Sequence, residues 1–191
     1  MGTHIDVVFP RRSDVTASRL AELLTQSFSA TASSLLTIKE NAWYSIGVGP
    51  WDIETIHTDS AEPEYIEADG PYGFDVSLYR QVCTLGHPER FRRLHASDSP
   101  VSSALQNVIH SVVFAMTRSV SFACVAGGMG DSDHALDLAY YHGASFADIC
   151  NALQTKLGVP ARSWSDLDQH SWLLYTQKPL RCHDKIGAAE P

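Results

Sequence analysis

No apolar run in this chain is much longer than about five residues, as at Val112–Met116 and Phe122–Ala126. A membrane-spanning helix needs roughly 20 such residues in a row, so none is expected. The opening Met1–Asp6 shows no basic cluster followed by an apolar stretch, so no secretory signal is expected either. Cysteine is sparse: Cys83, Cys124, Cys150 and Cys182 lie far apart and form no C-x-x-C. That spacing does not indicate a zinc ribbon or a thioredoxin-type motif and suits free thiols in a reducing compartment, hence a cytoplasmic protein, with one or two disulfides as the alternative.

Motifs of high specificity are missing as well. There is no G-x-G-x-x-G, no Gly-Lys-Ser/Thr of a P-loop, no G-x-S-x-G and no H-E-x-x-H. No cofactor is implied. The most local absence is of positive charge. Between Lys39 and Arg80 no lysine or arginine occurs, while Glu40, Asp52, Glu54, Asp59, Glu62, Glu64, Glu67, Asp69 and Asp75 all do. Those nine carboxylates outweigh the whole chain's net charge of −8, so the remainder is close to neutral. Phosphate recognition needs a basic face, and this balance argues against nucleic acid as a partner.

At 191 residues with 44% hydrophobic content, the chain suits one domain with a full core. A single domain over 1–177 is expected, with a polar, loose tail over 178–191. Residues 4–9 alternate as a first strand, and Pro10 closes it. Ser13 is read as the cap of a helix running to Phe28, with Ala17, Leu20, Leu23, Leu24, Ser27 and Phe28 on one stripe. Residues 34–39 and 42–48 are read as a hairpin turning at 39–41. Strands follow at 51–58, 65–68 and 74–82, with Gly70-Pro71-Tyr72-Gly73 as a turn. Residues 86–98 are basic and irregular. Ser97 or Ser99, then Pro100, opens a helix whose stripe runs Val101, Ala104, Leu105, Val108, Ile109, Val112, Val113 and Met116. Val120, Phe122 and Cys124 mark a strand. Helices are expected at 133–141 and 146–157, the latter with the capping box Ser145…Asp148. Trp172–Tyr175 form a late strand. Early strands and late helices indicate an α+β fold: a mostly antiparallel sheet with helices packed on one face, the other face left to water or a partner.

Two sites are candidates. On a strand alternate residues share a face, so Asp52 and Glu54 project together, as do Asp75, Ser77 and Tyr79. With Glu64 and Glu67 they can form one acidic patch, and Trp51, Tyr65, Tyr72 and Tyr79 supply aromatic anchors. The plain alternatives are a solvated surface for the acids and core packing for the aromatics. The second candidate is the loop Gly127–His134, where glycines follow a strand and Asp131, Asp133 and His134 could ligate a metal. It lacks the pattern of an EF-hand, and acids opening a helix also suit the helix dipole. Arg90, Arg92 and Arg93 are best matched to this protein's own acids, and the nine histidines are dispersed.

The leading expectation is a protein-binding module that engages a partner with a basic surface, of the kind an immunity protein or antitoxin provides against a toxin enzyme. That analogy is one of type, carried by no family motif. The alternative is a small metal-assisted hydrolase using the Gly127–His134 loop. A third reading, an oligomerising subunit, has only the apolar Trp172–Tyr175 segment behind it. The sequence leaves the oligomeric state open.

Overall fold

A computed structural model describes residues 4–42, 47–57, 64–87, 99–127, 135, 137–139 and 142–177. Its centre is one antiparallel sheet of seven strands: β1 (His4–Pro10), β2 (Asp52–Ile56), β3 (Tyr65–Asp69), β4 (Asp75–Leu78), β5 (Val82–His87), β6 (Val120–Gly127) and β7 (Ser171–Gln177). Their spatial order is β2-β3-β4-β5-β1-β6-β7. The first strand in sequence therefore lies near the middle, hydrogen-bonded to β5 on one side and β6 on the other. The fold is α+β, as expected.

One face of the sheet carries three helices: α1 (Ala17–Ala30), α2 (Ala32–Asn41) and α3 (Pro100–Thr117). Ile5, Val7 and Phe9 of β1, Val76 and Leu78 of β4, and Phe122 and Cys124 of β6 meet Leu20, Leu24, Leu35, Ile38, Val108 and Val112 there. α3 begins as its sequence dictates. Pro100 takes the first turn, and the Ser99 hydroxyl accepts the Val101 N–H at 3.1 Å. It stops at Arg118, whose φ of 61° is left-handed. The long helices thus cover one face. α4 (Phe146–Leu157) packs on the other, where Ile149 and Leu153 join Val8, Val125 and Trp172. Its capping box is complete: Ser145 Oγ accepts from Asp148 N, and Asp148 Oδ2 accepts from Ser145 N. The Ser145 hydroxyl, donating to Asp148 Oδ2 at 2.6 Å, and then the Ser145 N–H hold the Asp148 carboxyl below its ordinary range.

Several local expectations change. Residues 34–39 are helical, not a strand. The buried positions Phe28, Thr31, Leu35 and Ile38 keep helical spacing across the α1–α2 junction, and Thr31 Oγ1 donates to Ser27 O at 2.9 Å. Of the second strand expected at 42–48, residues 43–46 lie outside the described residues, and Gly47–Pro50 are not strand. α1 starts after Thr16 rather than at Ser13, whose neighbour Asp14 instead pairs with Arg12 and Arg19.

The strand expected at 74–82 is two strands. They fold back at Arg80-Gln81, where Tyr79 N donates to Val82 O at 2.9 Å. Arg11 fixes this turn from outside: its Nη1 donates to Tyr79 O at 2.7 Å and its backbone N to Gln81 O at 2.9 Å. Gly86, read as the start of an irregular segment, lies inside β5. Of the helix expected at 133–141, the described residues 135 and 137–139 are helical. Among the described residues no helix is long and apolar enough to cross a membrane.

Candidate functional site: an acidic sheet face

Strand register decides where the acids go. β2 and β3 pair Asp52 with Asp69 and Glu54 with Glu67. β3 and β4 pair Asp69 with Asp75 and Glu67 with Ser77. β4 and β5 pair Asp75 with Gly86, and Gly86 in turn faces Asp6 of β1. The alternation of side chains sends Ile53, Ile66, Ala68, Val76 and Leu78 to the helix-covered core. The carboxylates therefore all project from the opposite face. One row crosses the sheet as Asp52–Asp69–Asp75–Gly86–Asp6. The next reads Glu54–Glu67–Ser77–Thr84.

Exposure falls along the first row. Asp52 and Asp69 are exposed, Asp75 is partly buried, and Asp6 is only 8% exposed. The electrostatics follow this gradient. Burial, then the charges of Asp6, Asp69 and Glu67, push the Asp75 carboxyl up to about 6. Burial, then Asp69 and Glu54, raise Glu67 as well. Among the described residues no lysine or arginine pairs with Asp52, Glu54, Glu67, Asp69 or Asp75; the ion pairs are Arg12–Asp14, Arg19–Asp14 and His57–Glu64. The side chains spread across strands rather than converge. Among the described residues no group of three or more His, Cys, Asp or Glu could hold a metal ion.

Tyr65 and Tyr79 border the acids on the same face, stacked with ring centroids 5.1 Å apart. Burial lifts the Tyr79 phenol to about 12, with a hydrogen bond to Ser77 opposing. Asp52, Glu54, Glu67, Asp75, Tyr65 and Tyr79 are thus brought together. Glu64 stands at the margin, where its Oε1 lies 2.8 Å from His57 Nδ1. Trp51 and Tyr72 go elsewhere. They pack on Phe28 on the helix side, at centroid distances of 4.8 and 6.4 Å, and line a groove of about 280 Å³ with Leu35 and Val48.

Asp6 and Asp69 were missed as members of the face. The signal for Asp6 was a lone charge at an alternating position of an apolar strand. For Asp69 it was its spacing of two from Glu67. Asp131, Asp133 and His134, with the rest of 128–134, lie outside the described residues, as do Arg90, Arg92 and Arg93. The described histidines do not form one site: His87 is buried against Phe74 and the Tyr72 carbonyl, His110 lies beside Tyr175, and His57 is at the β2 end. Compared with protein-family models, curated proteins and solved structures, the chain matches none.

Proposed function

We propose that this chain is a protein-binding module whose acidic sheet face, exposed at its β2–β3 end through Asp52, Glu54 and Asp69, engages a basic partner, in the manner of an immunity protein or antitoxin that occludes a toxin enzyme. The observation that supports this reading is the in-register pairing of Asp52, Asp69 and Asp75 in one row and Glu54 with Glu67 in the next. Neighbouring strands lie about 4.8 Å apart, inside the screening length of about 8 Å at physiological salt. Neighbouring acids can therefore repel one another, and the Asp75 and Glu67 carboxyls are raised by burial first and by the charges beside them second. Isolated surface charges contribute little, but a row of like charges gains when a complementary surface approaches. Tyr65, partly exposed at the border, offers area at small entropic cost, whereas Tyr79 stacked beneath it is buried in the core.

The test is affinity capture from the native host with the full chain, at low and moderate salt, against the Glu54→Lys/Glu67→Lys variant. A partner lost with rising salt and lost in the variant supports the reading. Co-expression with that partner should also relieve any toxicity it causes. Undiminished capture of the same partner by the variant, without salt dependence, overturns the reading.

A further inference from the structure

The sheet has two outer edges, and they differ. At β7, Ala161 makes a parallel bridge with Leu173, and its N–H donates to Trp172 O at 2.7 Å. At β2, no described residue pairs with the edge that faces away from β3. That edge also begins both acidic rows, through Asp52 and Glu54, which are exposed.

An unpaired edge is a template for another strand. A second copy of β2 fits poorly, because antiparallel self-pairing centred on Ile53 sets Asp52 against Glu54 and pairing centred on Glu54 sets Glu54 against its copy, and like charges opposite one another are unfavourable. The same charges favour a strand with cations at those positions. Resting on the acidic-face reading above, we propose that the partner binds by adding an antiparallel strand to the β2 edge, with basic side chains opposite Asp52 and Glu54.

The register specifies the segment. Residues opposite Asp52 and Glu54 fall on the acidic face and carry the basic side chains. The residue between them lies opposite Ile53, which packs on the helix-side core, and is apolar. Thr55 is exposed and takes a β-branched polar neighbour. Ile56, which pairs with Tyr65, takes an apolar one. Read in the antiparallel direction, the segment is apolar–Thr–basic–apolar–basic.

The probe is a synthetic peptide with Val-Thr-Lys-Val-Lys at its centre and Gly/Ser flanks. Its control has the same composition with both lysines adjacent. Each is titrated into the full chain at low salt, followed by amide NMR and hydrogen exchange. The ordered peptide should shift and protect amides within Asp52–Ile56, and the control should bind at least tenfold more weakly. Glu54→Lys should remove the difference. Equal binding of both peptides without amide protection would overturn strand addition while leaving the acidic-face reading intact. If neither peptide perturbs the acidic face, both readings fall. Concentration-dependent protection of β2 without peptide would assign the edge to self-association and overturn the proposal.

Discussion

The carboxylate of Asp75 occupies the space that a side chain at Gly86 would fill. A Cβ there would stand 2.6 Å from both Asp75 carboxylate oxygens. Gly86 is a strand residue, and glycine inside a strand marks a close approach of this kind. Here it lets the acid lie over the neighbouring strand toward Asp6. Gly86→Ala should therefore destabilise the fold by about 1–3 kcal/mol through overpacking. In an Asp75→Ser background the same change should cost less, since the shorter side chain clears the space. A urea-unfolding double-mutant cycle reads the coupling, and additive effects would refute it.

The raised Asp75 carboxyl fixes the sign of a pH effect. Between its ordinary value of 3.8 and about 6, the folded chain holds this proton and the unfolded chain releases it. Stability is therefore highest at the acid end of that window, falls as pH rises through about 6, and levels off above. The full shift corresponds to about 3 kcal/mol, and solvent around this part-exposed group brings the realised loss to about 1–3 kcal/mol. Glu67, also raised, acts in the same sense. Asp75→Asn should be more stable than the wild type at pH 7 and flatter between pH 4 and 6, as measured by urea midpoints.

Gly70 serves Trp51 as Gly86 serves Asp75, on the helix side of the sheet. A Cβ at Gly70 would meet the indole ring at 2.3 to 2.6 Å. The ring is held edge-on to Phe28, so it has little freedom to withdraw. Gly70→Ala should cost about 1–3 kcal/mol, and markedly less when Trp51 is replaced by leucine. Chemical denaturation of the two single variants and the double variant checks this. Trp51 Nε1 is buried with no acceptor among the described residues, so Trp51→Phe should cost less than loss of ring area alone implies.

The thiols should be inert in the native state. Cys83, Cys124 and Cys150 are free. Burial pushes Cys83 to about 12, with Arg11 opposing, and burial, then Asp6, raises Cys124 as well. A thiol that stays protonated is a poor nucleophile. At pH 8, a disulfide reagent should leave Cys83 and Cys124 unmodified until the protein is unfolded, as peptide mapping would show. Rapid native modification of either would contradict their placement in the sheet.

Local chemistry explains which elements were legible. Ser99-Pro100 and the Ser145…Asp148 box mark helix starts because they satisfy backbone N–H groups within one turn. The alternation over β2 was equally plain. It already sent Trp51 and Ile53 to the side opposite Asp52 and Glu54, so grouping Trp51 with those acids ran against the strand's own period. The Arg80-Gln81 turn carried no glycine or asparagine signal. Arg11, distant in sequence, supplies its hydrogen bonds. In α2, Leu35, Thr37 and Ile38 suit a strand as well as a helix, and burial of Leu35 and Ile38 under α3 makes the segment helical.

By itself the sequence determined the α+β class, the starts of α3 and α4 and the two-residue spacing that aligns acids along each strand, because those depend on neighbours in the chain. Tertiary structure alone decided that the strands of residues 52–78 lie side by side in matching register, that Asp6 joins their row across Gly86, and that β2 is left at the edge. Pairing between strands is fixed by which faces bury apolar surface against the helices. That is a property of the assembled sheet and of no single segment.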